Sequence, residues 1–532
     1  MDNEYIKSPA EQYVQFGHDA YNLNTPEGFK EAEKWYLKAA ELGDDQAMCS
    51  LGYLYFYGRL GTPDKEKARE YFERSAELGN FEAILKVGDF YKYGTYGEED
   101  PDKAFEAYTK VFDSYPDEYL LYFPELTLRL AQCEYDGTGT EVSYNKALML
   151  ADLAAKGFDN DDEPFYYKSQ AKKAWKLVMD CKEKLGTPES IYEKILKSLD
   201  DDGNLPQGFS LARQEHDAEI ILADGAFDGV SAYHFRKPEI EEDTLDLMKS
   251  AVNAAAEDDI TLANKLFTEL SEKISAFGII EEFQQYIFEN SGKLGNNNLI
   301  GAAFNMLTQS NNIECVKFAM SIIELYDIQD TLWIRKAVTR LGYCNEFTLF
   351  TIFIMGRWDD ANEEIFNLAK KVTGWGRIHC ISYLEGDKDY IRDWLLYEGL
   401  NNHIMPEYSA VPCIVKSEVA ERLERGISEK EFHAIGGLIS PALPLDPVAS
   451  IFGLANGKDI VEKWLDCFKT FEAKKEDYET VLYILEEVKE QDIRGNIADK
   501  CEEILSSEGA KKAAGDVAEK FLGLDYREDP EE

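Results

Sequence analysis

Basic residues are scarce in this chain of 532 residues: 57 Lys and Arg stand against 102 Asp and Glu, for a formal net charge of −45. Counterion release requires Lys and Arg gathered on one face, so this balance argues against nucleic acid as a partner. Long apolar runs are missing too. The most apolar stretch, FTLFTIFIM from Phe347 to Met355, is nine residues long, well below the roughly 18 that a membrane-spanning helix needs, and reads as a buried helix. The first 30 residues are polar and hold no apolar core of the kind a signal peptide requires, so no export is expected. Cysteine is sparse, with nine residues and no CxxC among them, which fits reduced core thiols in a cytoplasmic protein. What is present is 44% hydrophobic and 13% aromatic residues, too many for a disordered acidic chain and enough for a sizeable core.

The patterns that carry chemistry are also lacking. GWGRIH (Gly374 to His379) is half of a dinucleotide fingerprint and follows a helical run where a strand is needed. GLANGKD (Gly453 to Asp459) is one residue short of a phosphate loop, has Asp459 where Ser or Thr would hold magnesium, and reads as a helix terminator. GVSAY (Gly229 to Tyr233) begins like a nucleophile elbow, but Tyr233 replaces its last glycine. None of the six histidines has another within helical reach, and none follows a Glu by three residues, so neither HExxH nor ExxH ligand pairs exist. SLDDDGNLPQGF (Ser198 to Phe209) resembles a calcium loop but starts with Ser and ends in Phe where a bidentate Glu is required. No catalytic residue, metal ligand or cofactor is expected. Trp333, Trp358, Trp375 and Trp394 read as core at helical spacing.

Self-similarity is what the chain does have. Glu31 to Ala47 and Lys67 to Ala83 match at an offset of 36 residues: Ala32 maps to Ala68 and Ala104, Gly43 to Gly79, Gly52 to Gly88, and Gly58 to Gly94. A fourth copy places Gly137 and Ala147 each 43 residues beyond Gly94 and Ala104, with the added residues between Ser114 and Glu125. Small residues where helices approach and glycines where the chain turns predict helical hairpins. Ala47, Leu51, Gly52 and Tyr55 share one side of a helical wheel and are expected to pack. The opposite side carries Gln46, Ser50, Tyr53 and Tyr57, and in the next copy Glu82, Lys86, Asp89 and Tyr93. These positions vary while the packing positions do not, which makes them the candidate partner-binding face.

LGYLYFYG, VGDFYKYG, DKEKAREYF, DPDKAFEAY and WYLKAAELG resemble the Sel-one-like repeat family, related to tetratricopeptide repeats. Two copies depart from its pattern: the first has Ala20 at the Tyr position, and the fourth has Ala131 for the helix Gly and Glu134 for the Tyr. The resemblance implies a curved helical scaffold that holds another protein, and it implies no catalysis.

Residues 161–185 read as a capping helix and 186–243, rich in Gly and Asp, as an irregular linker or insertion. From 244 to 532 helical periodicity returns in segments of about 10–18 residues with few prolines, and Asn362 to Leu400 resembles a HEAT-type unit. The expected fold class is therefore all-α: a right-handed α-solenoid of Sel-one-like hairpins over 1–160, followed by a second, HEAT-like helical solenoid or bundle. The expected function is a non-enzymatic scaffold or adaptor for a protein or peptide, with neither nucleic acid nor membrane as partner. The acidic surface favours a basic or amphipathic partner. The alternatives are an enzyme whose unpatterned site lies in 186–532, with the repeats as its recruitment module, and a self-assembling structural protein.

Overall fold

In the computed structural model, residues 8–95, 97–112, 123–160, 166–211, 223–234, 239–444, 448–491, 493, 496–515, 517 and 520 are described. They form 28 α-helices and no strand. Contacts divide the chain into two units, residues 1–189 with 331–333, and residues 190–330 with 334–532.

The described residues of the first unit form nine helices: α1 (Pro9–Asn22), α2 (Pro26–Glu41), α3 (Asp45–Phe56), α4 (Lys65–Glu77), α5 (Phe81–Lys92), α6 (Pro101–Phe112), α7 (Pro124–Asp136), α8 (Tyr144–Asp159) and α9 (Tyr166–Leu185). Each packs on its sequence neighbour. The turns are two-part signals. Gly43 and Gly79 sit in the left-handed region (φ +85° and +94°), where a side chain would be strained. The next residues, Asp44 and Asn80, then cap the following helices by accepting from the backbone N–H of Ala47 (2.8 Å) and Ala83 (3.0 Å). The inserted stretch after Ser114 lies, up to residue 122, outside the described residues.

The 36-residue period has a direct packing meaning. The missing Cβ of Gly17 leaves room for the ring of Tyr36, that of Gly52 for Phe72, and that of Gly88 for Tyr108. A methyl group added at Gly52 would lie 2.8 Å from Phe72 Cδ1, far inside van der Waals contact. Phe72 and Tyr108 are fully buried. In the fourth copy, the positions 43 residues beyond Gly88 and Tyr108 are Ala131 and Ala151, both fully buried. Groove and ring have both become alanine there, which explains why the fourth copy departs from the pattern without breaking the array.

In the second unit every second helix packs on the next: Ala276–Asn290, Ile313–Ile323, Asn345–Met355, Gly374–Tyr383, Glu407–Lys416, Glu429–Ile439 and Lys475–Glu490 form one row. Phe347 to Met355, the most apolar segment, is the interior helix of that row, and Trp358 and Trp375 are buried. No described helix is long and apolar enough to cross a membrane. Ile313 to Asn345 is a step of 32 residues, Asn345 to Gly374 of 29, and Gly374 to Glu407 of 33. The other steps of the row, 37 residues from Ala276 to Ile313, 22 from Glu407 to Glu429 and 46 from Glu429 to Lys475, spread further, so the row keeps no fixed period of the roughly 40–47 residues of a HEAT unit.

Residues 186–243 contribute helices Ile191–Ser198 and Ala226–His234, while 212–222 and 235–238 lie outside the described residues. The second of these helices is fixed by buried charge. Lys317, wholly enclosed, places its Nζ 2.5 Å from Asp228 Oδ2, 2.7 Å from Glu346 Oε1 and 3.3 Å from Glu314 Oε1. Glu346 Oε2 also accepts from the backbone N–H of Gly225 (2.7 Å). Gly229 meets the ring of Trp375, and the Tyr233 and Ser382 hydroxyls share a hydrogen bond of 2.6 Å. A buried ammonium is tolerable only with such partners, because desolvation costs several kcal/mol per ion.

Two outcomes test this packing. Gly52→Ala is expected to lower unfolding free energy by about 1–3 kcal/mol, and to cost less in a Phe72→Ala background, because the ring that it strikes is gone; denaturant titration of the four-member cycle measures the coupling. Burial, opposed by Lys317, raises the Asp228 carboxyl to about 6. A raised folded-state pKa adds stability below the unfolded pKa and loses it as pH climbs through the folded one. The stability of wild type relative to Asp228→Asn should therefore fall between about pH 4 and pH 6 in denaturation at stepped pH.

Candidate functional site

The face predicted from α3 and α5 is assembled by side chains that reach from one repeat back to the one before. On α3, the rings of Tyr53 and Tyr57 stack 6.0 Å apart at 8°, and Tyr53 meets Phe72 edge-on at 5.0 Å. Lys86 of α5 places its Nζ 5.5 Å above the Tyr53 ring and 5.7 Å from that of Phe56. Burial, with neighbouring groups that include Glu82 and Glu125, pushes the Tyr53 hydroxyl far above its usual range, so it stays a neutral donor.

The other predicted positions fall around this pair. The exposed Glu82 accepts from the Cys49 thiol (3.8 Å), and Gln46 accepts from Asn80 Nδ2 (3.3 Å). Ser50 shares a hydrogen bond with Tyr36, whose hydroxyl burial raises to about 12. Asp89 lies further along α5, and Tyr93 caps its C-terminus. Tyr93 is 66% exposed, more than Tyr57 at 54%. Asp89 is committed internally: Arg129 Nε and Nη2 donate to its two oxygens at 2.8 and 2.9 Å, and the Tyr108 hydroxyl donates at 2.7 Å.

Arg129 was not among the predicted residues, though a signal for it exists. It stands 43 residues after Lys86, the offset of the fourth copy, and Asp89 stands 36 after Tyr53. The cation of one copy thus reaches back to the equivalent position of the previous one twice, Lys86 to Tyr53 and Arg129 to Asp89. Burial would lower the Arg129 pKa, but the hydrogen bonds and charge of Asp89 overcome it and hold the guanidinium firmly protonated.

Beyond Asp89 and Tyr93 the face opens into a groove of about 400 Å³ bounded by α5, α7, α8 and α9. Leu128, Leu177 and Phe158 give it an apolar lining, and Lys92, Lys173 and Lys176 bring ammonium groups to it. Sequence reasoning missed this groove because the 43-residue step and the capping helix fall outside the 36-residue register.

Elsewhere the sequence features take structural roles. Ser231 of GVSAY lies inside helix Ala226–His234, so no strand-to-helix elbow presents it. GWGRIH opens helix Gly374–Tyr383, where His379 is buried, has no partner for Nε2 among the described residues, and is pushed down to about 4 by burial. GLANGKD ends the short 3-10 helix Ile451–Gly453 and opens the helix Gly457–Asp466, where Gly457 packs on the Ile451 carbonyl. The acidic loop at Asp200 already holds a cation: Lys371 Nζ donates to the Asp202 and Gly203 carbonyls (2.7 and 3.2 Å) and to Asn204 Oδ1 (3.2 Å). All nine cysteines are free, and eight are buried. No described group of three His, Cys, Asp or Glu is arranged to hold a metal.

The reach-back contacts differ in strength, and the difference is measurable. Arg129→Met is expected to lower stability by about 1.5–3 kcal/mol, because it leaves Asp89 without its charged donors. Lys86→Met should cost no more than about 1 kcal/mol, the scale of a half-exposed cation–π contact. Denaturant unfolding of the two variants orders them.

Comparison with known proteins matches residues 23–44, 45–80, 81–110 and 124–157 to the Sel1 repeat. No curated protein matches the chain. Among solved structures, it is similar to a Sel1 repeat protein from Oxalobacter formigenes, with 22% identity, 34% of this chain and 67% of that one covered, and a TM-score of 0.26. It is also similar to c5321, a protective antigen present in uropathogenic Escherichia coli strains displaying an SLR fold, with 16% identity, 94% of this chain and 99% of that one covered, and a TM-score of 0.23. The HEAT-like resemblance over 244–522 finds no support in these comparisons. The four matched stretches run from the loop before α2 to α8, and each holds its own ring or its alanine counterpart: residues 23–44, 45–80, 81–110 and 124–157 are four Sel1 repeats.

Proposed function

We propose that the Sel1 array is a docking scaffold for a protein or peptide, bound along the face of α3, α5 and α7. Sel1 repeats are in general protein-interaction scaffolds. The observation that carries the reading here is that successive copies join on this face through side chains, Lys86 over Tyr53 and Arg129 on Asp89, while Tyr57 and Tyr93 stay exposed beside them. A rigid row with exposed tyrosines suits recognition, because aromatic side chains bury a large area at low entropic cost.

On this reading Gln46, Ser50, Tyr53, Tyr57, Glu82, Lys86, Asp89 and Tyr93 form or support the contact surface, and the array performs recognition rather than chemistry. The net charge of −45 steers a basic or amphipathic partner towards the chain, with more effect on encounter than on affinity. Nine free thiols suit a reducing compartment, and the proposal places the protein in the cytoplasm.

Affinity capture from native lysate tests the face. A Tyr53→Ala, Tyr57→Ala variant that remains folded by circular dichroism is expected to lose partners that wild type retains. Equal recovery by both proteins overturns the assignment.

A further inference from the structure

The groove at the end of the face has a charge opposite to that of the chain. Four cations and three carboxylates line it. Arg129 and Asp89 neutralise one another, which leaves Lys92, Lys173 and Lys176 against Glu125 and Asp180. None of these three lysines has a carboxylate within ion-pair distance among the described residues. Lys173 and Lys176 are exposed and stand three residues apart on α9, so their ammonium groups rise on the same side of the helix. In a chain with 102 acids to 57 bases, three lysines without a carboxylate partner around one concavity are a local reversal of sign, Lys92 lying 5.9 Å over the Tyr93 ring.

The lining adds shape to that charge. Leu128, Leu177 and the almost fully buried Phe158 supply an apolar floor, and the amides of Gln132 and Gln170 stand beside it. The volume of about 400 Å³ lies within the roughly 300–1,000 Å³ of small recognition pockets. Asp89 and Tyr93 belong to both this lining and the proposed face, so the two surfaces are continuous.

We propose that this groove binds an acidic peptide segment of the partner, with Asp or Glu carboxylates paired to Lys92, Lys173 and Lys176 and an apolar side chain set against Leu128 and Leu177. A peptide fits better than a nucleic acid: its carboxylates can be few and local, whereas a phosphate backbone carries charge along its whole length and meets the repulsion of the surrounding acidic surface. The assignment rests on the scaffold reading and deepens it, because the same partner approaches an acidic chain through its basic regions and is anchored by an acidic one.

The test uses the full chain and a fluorescein-labelled Glu-Glu-Leu-Glu-Glu-Leu peptide, followed by fluorescence anisotropy beside its Gln-Gln-Leu-Gln-Gln-Leu counterpart. Wild type should bind the Glu peptide saturably and the Gln peptide at least about tenfold more weakly. Lys173→Glu with Lys176→Glu should lose at least about tenfold in affinity. Lys30→Glu with Lys65→Glu, on α2 and α4, changes the net charge equally and should bind as wild type does. No saturable binding, equal binding of the two peptides, or an equal loss in both variants overturns the proposal. Tyr53 and Tyr57 do not line the groove, so a negative peptide result with partner capture still lost in the Tyr53→Ala, Tyr57→Ala variant removes the groove assignment alone.

Discussion

A ring set into the space of a missing side chain is the contact on which the first unit depends. A single helical hairpin cannot bury its apolar face alone, so the copies must approach until their helices interlock. Gly52 with Phe72 and Gly88 with Tyr108 allow that approach, and it brings α3, α5 and α7 close enough for Lys86 to reach Tyr53 and Arg129 to reach Asp89. The candidate face is thus a by-product of core packing: the glycine positions set the distance between copies, and that distance decides which polar side chains meet.

The second unit solves the same problem with charge. Helix Ala226–His234 sets Ala226 and Val230 in an apolar cluster with Trp375, Ile378 and Tyr408, and its place on the row is fixed by Asp228, which shares the enclosed Lys317 with Glu346. Breaking such a pair leaves an uncompensated buried ion, which is far costlier than the pair itself is favourable. The arrangement specifies one seat for the helix more than it adds stability.

How much of this could be read beforehand followed from how local each signal was. The repeat was legible because Gly43, Gly52 and Gly58 recur at Gly79, Gly88 and Gly94, where backbone geometry and close approach leave little choice of residue. Tyr53, Tyr57 and Lys86 were legible as a varying face, and their mutual contacts follow from the period. Asp89 looked like part of that face because its partner Arg129 stands 40 residues away, in the copy displaced to the 43-residue offset. The second unit resisted because the steps along its row run from 22 to 46 residues and hold no fixed period. Lys317 is the lone cation within IECVKFAMSII, and its partners Asp228 and Glu346 lie 89 and 29 residues away, beyond the reach of any local pattern.

The alternation of groove and ring also sets which parts of the array are interchangeable. In the second and third copies each block of 36 residues brings its own glycine and its own ring, Gly52 with Phe72 and Gly88 with Tyr108, so one such block can be duplicated or excised with every pair still complete. The fourth copy is complete in a different currency, Ala131 with Ala151, and a junction that set its Ala131 against an aromatic ring, or Gly88 against its Ala151, would leave a clash or a void. Growth and loss of repeats are therefore open ahead of the 43-residue step and closed across it.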